Sequence, residues 1–264
     1  MGAIMTSAIH SGRPPRERRS VERLLAPLDA IAESSPRFIS KSVGQFENAG
    51  RTYTLPRFVY LGAKGGGDTI RIGILATLQG DEPEGALALA RLVDLLEANP
   101  EIAKGYALFF YPVCNPTGFE DATGHSRAGK NLDEEFWKNT AEPEVRYLQS
   151  EIWMHAFDGI ITLRSDKSSE GLRGHAGGAI LSEHLLEPAL REAEQILPRN
   201  PIRLFDAGNF GLIKSPQGLK RPPFEITLQT PRKAPLHRQV DALVAALRTI
   251  LLEYRYLIAI AQNI

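Results

Sequence analysis

The stretch from Thr69 to Pro112 constrains the fold of this chain more than any other. Thr69 to Thr77 is a mostly apolar run of the kind shown by a strand buried on both faces, and it breaks at Gly80. Pro83 to Ala98 then repeats apolar side chains on one face (Leu87, Leu89, Ala90, Leu92, Val93, Leu95, Leu96), with Pro83 suited to a first helical turn. Tyr106 to Pro112 is again a buried strand. Strand, helix and strand in roughly forty residues make a crossover unit, and open sheets built from such units bind ligands at the carboxyl ends of their strands. Gln79-Gly80-Asp81-Glu82 and Asn115-Pro116-Thr117-Gly118-Phe119-Glu120 lie at those ends, so a site is expected there.

The remaining segments extend the same pattern. Ser20 is an N-cap for a helix with Val21, Leu24, Leu25, Leu28 and Ile31 along one side and an irregularity at Pro27. Phe38 to Val43 and Thr52 to Leu61 read as two strands joined through Asn48-Ala49-Gly50. A helix from Glu142 to Phe157 leads to a strand from Gly159 to Leu163 that ends at Arg164-Ser165-Asp166. Leu181 to Leu197 is helical, residues 198–223 form a long Pro/Gly-rich loop, Phe224 to Pro231 is a last strand, and Pro235 to about Tyr256 is a closing helix. The class is α/β: a mixed, mostly parallel twisted sheet between helices. Residues 1–19 read as a flexible basic arm and residues 20–264 as one domain, since no break in composition divides them.

Composition excludes several functions. Lys plus Arg and Asp plus Glu are equal at 31 each, so no overall field draws the chain to nucleic acid or an anionic membrane. No run approaches the ~18 consecutive apolar residues of a membrane span. The arm has no apolar h-region of a secretory signal, and the single cysteine, Cys114, fits a reducing compartment, so a cytoplasmic location is expected. Lys64-Gly65-Gly66-Gly67-Asp68 lacks the Gly-Lys-Ser/Thr ending of a phosphate loop and opens no helix. His10, His125, His155, His175, His184, His237 and Cys114 show no metal-binding spacing.

Gln79-Gly80-Asp81-Glu82-Pro83-Glu84-Gly85 resembles the His-Gly-Asp-Glu-Pro-Glu-Gly fingerprint of the zinc carboxypeptidase superfamily, including its succinylglutamate desuccinylase/aspartoacylase relatives. Asn115 to Glu120 resembles that family's Asn-Pro-x-Gly-Tyr/Phe-Glu, and Thr227-Leu228-Gln229-Thr230-Pro231 its Thr-Leu-Glu-Thr-Pro. The landmarks run in the family's order from about Ser20 to Tyr256. The resemblance implies the carboxypeptidase-like fold and a zinc held by His, Glu and a second His, with a fourth position for a water whose pKa the metal lowers to about 7.

The residues that would perform the chemistry depart from the family. Its three zinc ligands correspond to Gln79, Glu82 and Arg164, of which only Glu82 is a good ligand. Gln79 is neutral, and Arg164 is a permanent cation with no lone pair. A unit charge about 4 Å away interacts at about 4 kcal/mol at an effective dielectric of about 20, so a divalent ion facing Arg164 would meet roughly twice that in repulsion. Arg164 is therefore expected to occupy the cation's place and pair with Glu82. The general base of the family is the glutamate replaced by Gln229, and an amide takes no proton from water near neutral pH.

The family's Asp-Leu-Asn-Arg-x-Phe, whose asparagine and arginine hold the substrate carboxylate, corresponds to Asn131-Leu132-Asp133-Glu134-Glu135-Phe136, so a carboxylate would now meet Asp133 and Glu134. Its oxyanion-stabilising arginine aligns with either Arg127 or Gly124. Taken singly, Arg164 is a strand-end arginine and Glu82 a helix-dipole acid. Together the changes point to a degenerate, non-hydrolytic homologue without zinc or other cofactor, whose Arg127, Asn131, Asp133 and Glu134 line a pocket for a small polar or peptide-like ligand. The alternatives are an active zinc carboxypeptidase or N-acyl amino acid amidohydrolase with atypical ligands, and an interaction protein with no small ligand.

Overall fold

The structure, a computed structural model, describes residues 18–199 and 223–262. Most of the expected arm and nearly all of the expected 198–223 loop lie outside the described residues. Helix α1 (Val21–Ser34) begins where Ser20 Oγ accepts a hydrogen bond from the Arg23 amide. Strands β1 (Phe38–Asn48) and β2 (Arg51–Leu61) follow, then β3 (Ile70–Leu75), α2 (Glu84–Ala98) and β4 (Tyr106–Tyr111). Short helices α3 (Pro116–Asp121) and α4 (Leu132–Glu135) precede α5 (Pro143–His155) and β5 (Gly159–Asp166). The remainder is β6 (Arg173–Ala176), α6 (Ala179–Leu181), a π-helical turn Ser182–Leu186, α7 (Glu187–Glu194), β7 (Phe224–Pro231) and α8 (Leu236–Gln262).

Among the described residues seven strands form one mixed sheet in the order β1-β2-β4-β3-β5-β7-β6. Its centre, β4-β3-β5-β7, is parallel, whereas β1 with β2, β2 with β4 and β6 with β7 are antiparallel. Parallel pairing thus joins four of the seven strands in the middle of the sheet, and antiparallel pairing adds the strands at its two sides. Side-chain alternation sorts the central strands onto two cores. Ile72, Ile74, Leu108, Phe110, Ile161 and Leu163 face one core with α1, α2, α7 and α8. Leu75, Phe109, Tyr111 and Ile160 face the other, with Leu148 and Ile152 of α5.

Two features were not read from the sequence. β1 continues through Gly44 to Asn48 past a register shift between Ser42 and Gly44, because pairing with β2 carries a polar segment that has no alternation of its own. β6, Arg-Gly-His-Ala, exists through its ladder with β7. The topology also fixes where a site can form. β3 lies between β4 and β5, and α2 and α5, which lead to those two strands, cover opposite faces. The crevice beyond the carboxyl end of β3 is therefore a topological switch point.

Candidate functional site

At that crevice the chain leaves β3 through a strained turn. Thr77, buried and β-branched, sits in the left-handed region at φ 53°, a conformation that costs roughly 1 to 3 kcal/mol. It is held because Thr77 Oγ1 donates to the Glu82 carbonyl (3.1 Å) and the Asn115 amide donates to the Thr77 carbonyl (3.0 Å). Asn115 Nδ2 also donates to the Leu78 carbonyl (3.1 Å), and its Oδ1 accepts from the Gly118 amide (2.8 Å), capping α3. Gly80 touches α3 so closely that a Cβ there would lie 2.0 Å from the Gly118 carbonyl carbon. The Gly and Asn-Pro landmarks thus lock two turns together, a structural task independent of any metal.

The turn delivers Glu82 to a buried charge cluster. Arg164 follows Leu163 on β5 and so leaves the sheet on the α5 side. Its Nε donates to Glu82 Oε2 (3.2 Å) and its Nη1 to Asp133 Oδ2 (2.5 Å). A second guanidinium enters from the end of β7: Arg232 Nη1 donates to Asp81 Oδ2 (2.7 Å), its Nε donates to Ser165 Oγ (3.1 Å), and its Nη2 lies 3.3 Å from Glu82 Oε1. Each Glu82 oxygen therefore faces a different arginine. The Glu82, Arg164 and Asp133 side chains are only 1%, 7% and 10% exposed. Lys167 reaches Asp81 at 3.7 Å but is solvated and adds little.

Burial and charge compete at these groups. Burial pushes the Glu82 carboxyl up to about 7, against the pull of Arg164 and Arg232. Burial likewise raises Asp133 and Glu84, opposed by Arg164 and by a hydrogen bond to Ser165 respectively. Asp81 goes the other way: burial is outweighed by Arg232 and Lys167 and its carboxyl is lowered.

A catalytic zinc does not fit this donor set. Of Gln79, Glu82 and Arg164 only Glu82 offers a strong lone pair, and both its oxygens are engaged by guanidinium groups. Among the described residues no three His, Cys, Asp or Glu side chains are grouped as a metal site requires.

The other expected site residues divide. Gln79 lies within hydrogen-bonding reach of Asp133, and Gln229 pairs with Arg164 in the β5–β7 register. Asn131 Nδ2 donates to Glu134 Oε1 (2.9 Å), so these two engage each other. Arg127 is turned to a different group: it forms a two-pronged pair with Asp121 (2.7 and 3.0 Å), donates to the Tyr53 hydroxyl (2.5 Å) and reaches Glu120 (3.3 Å). Of the two alternatives for the family's arginine, Gly124 is the one beside the cluster, its Cβ direction meeting Asp81 Oδ1 at 3.4 Å and Gln79 Oε1 at 3.5 Å. Sequence reasoning missed Arg232, Asp81 and Ser165 as members. The available signal was position, since Ser165 and Arg232 stand at the carboxyl ends of parallel strands.

Neither protein-family profiles nor curated proteins give a match to this chain. Solved structures do. A metallo-carboxypeptidase from Burkholderia cenocepacia superimposes with a TM-score of 0.73 at 18% identity, covering 90% of this chain and 70% of that one. A metallo-carboxypeptidase from Pseudomonas aeruginosa, in complex with (2-guanidinoethylmercapto)succinic acid, gives 0.67 at 17% identity over 89% and 69%. Bovine thrombin-activatable fibrinolysis inhibitor, in complex with a tick carboxypeptidase inhibitor, gives 0.62 at 14% identity over 94% and 99%. The likeness is one of fold: the chain has the α/β architecture of the metallo-carboxypeptidases.

Proposed function

We propose that this chain is a non-hydrolytic carboxypeptidase-fold protein, descended from a zinc enzyme, in which an internal guanidinium has taken the place of the metal. The observation that carries the reading is Arg164 bound between Glu82 and Asp133, with Arg232 on the other Glu82 oxygen. A permanent cation there supplies the charge that a carboxylate ligand needs but accepts no lone pair and activates no water. Gln229 in the place of the general base argues in the same direction. The β3 turn follows the fingerprint of the succinylglutamate desuccinylase/aspartoacylase branch, which favours that ancestry.

What remains suits binding a small polar or peptide-like ligand. Asp81 Oδ1 and Asn131 Oδ1 are buried acceptors with no hydrogen-bond donor among the described residues. A ligand reaching them would have to donate hydrogen bonds, which favours amine or amide groups over a free carboxylate. The balanced charge argues against a nucleic-acid partner, and no helix among the described residues is long and apolar enough to cross a membrane.

The direct test is an assay of the purified protein with peptides bearing a free carboxyl terminus and with N-acyl amino acids, with and without a metal chelator. The expected result is no turnover that the chelator removes. Chelator-sensitive hydrolysis that Glu82→Ala also abolishes would establish the active-enzyme alternative.

A further inference from the structure

A second buried charge group lies on the α5 side of the sheet, apart from the Glu82 cluster. Glu151 of α5 is 2% exposed, and its Oε2 accepts hydrogen bonds from Arg57 Nη1 on β2 (2.6 Å) and the Tyr111 hydroxyl on β4 (2.7 Å). One helical turn on, His155 Nε2 lies 3.0 Å from the same Arg57 Nη1 and 3.3 Å from the same Glu151 Oε2. The His155 ring packs on Phe109 and Phe157, with centroids 4.4 and 5.7 Å apart. Arg57 can only donate, so a neutral His155 with its proton on Nδ1 lets Nε2 accept from Arg57 Nη1.

We propose that Arg57, Glu151 and His155 form an acid-sensitive tie between β2 and the last turn of α5. Protonating His155 turns Nε2 into a donor that faces a guanidinium at 3.0 Å and a carboxylate oxygen at 3.3 Å. The imidazolium then bonds Glu151 and Arg57 withdraws. A contact between strand and helix becomes a pair within the helix at i,i+4 spacing, and α5 keeps only the Tyr111 bond at this point. The buried Nε of Arg57 has no hydrogen-bond partner among the described residues.

The charged and titratable groups around His155 are Arg57 from β2, Tyr111 from β4, Arg71 from β3 and Glu151 from α5 itself. Burial holds the imidazole below its ordinary value, Glu151 opposing and Arg57 and Arg71 assisting. The turn so released runs through Phe157 directly into β5, whose far end carries Arg164.

The experiment follows the His155 ring by NMR from about pH 8 to 4.5, with backbone hydrogen exchange of residues 150–157 corrected for intrinsic rates. In the wild type His155 should titrate below the ordinary ~6.5, and exchange of those amides should rise about tenfold on crossing that midpoint. In Arg57→Met the midpoint should move up by about one pH unit or more, because Glu151 then acts unopposed. His155→Gln, which keeps a neutral acceptor for Arg57, should abolish the pH-dependent exchange while the far-ultraviolet spectrum stays native. A wild-type midpoint at or above ~6.5, or the same acid-induced exchange in His155→Gln, overturns the proposal.

Discussion

Arg164 sits between two buried acids, and its removal would leave Glu82 and Asp133 facing each other's environment with one cation fewer. Breaking one side of a buried ion pair costs about 3 to 5 kcal/mol, so Arg164→Ala should lose stability of that order in urea unfolding at pH 8. The loss should shrink toward pH 5, as the acids take up protons and no longer need the cation. Glu144 gives a cleaner pH signature. It is 1% exposed in the first turn of α5, and burial pushes its carboxyl up to about 7 from 4.5. Between those values the folded chain holds a proton that the unfolded chain has released, so this group's contribution falls as pH rises from about 4.5 to 7 and stays unfavourable above. Glu144→Gln should therefore stabilise the protein at pH 8 by on the order of 1 to 3 kcal/mol and leave it little changed at pH 4.5, as read from the difference between the two unfolding curves. At this scale Gln79, Glu82 and Asp133 could be singled out because each stands at a fixed offset within a motif, and Arg164 because it ends a buried strand. Arg232 was not, because its partners Asp81 and Glu82 are about 150 residues away and become neighbours only when β7 enters the sheet beside β5.

The elements explain why the glycines and the asparagine of the turns hold their places. The β3 to α2 turn and the start of α3 share one contact through Gly80 and Gly118 and one polar bracket through Asn115, so the two turns beyond the carboxyl ends of β3 and β4 depend on each other. Gly80→Ala would press a methyl group into the α3 backbone and should cost about 3 kcal/mol, measurable as a lowered melting temperature. The buried strands and the α2, α5 and α8 helices could be read from periodicity, since burial on one or both faces writes itself into the residue pattern. β6 could not: its four residues carry no alternation and owe their conformation to β7. The last helix runs to Gln262, beyond the expected Tyr256. Arg127 illustrates the same limit at the site, since a motif offset allowed it or Gly124, and only the position of Tyr53, Glu120 and Asp121 decides where its guanidinium goes.

Over the whole molecule the fold is that of the metallo-carboxypeptidases, and the proposal is that its switch-point crevice now holds an internal salt-bridge cluster where the enzymes hold a metal. That cluster is wider than the positions the motif exposes. Restoring Gln79→His, Arg164→His and Gln229→Glu together would supply the ligands and the base but leave Arg232 3.3 Å from Glu82. The triple variant should still bind zinc weakly, and adding Arg232→Ser should strengthen binding about tenfold or more in a calorimetric titration, because the groups surrounding the ligands set metal affinity as well. The measurement that bears most directly on the central claim is the zinc content of the wild-type protein after equilibration with zinc at neutral pH, compared with Glu82→Ala. The prediction is no stoichiometric zinc in either. One zinc per chain in the wild type, lost in Glu82→Ala, would contradict it.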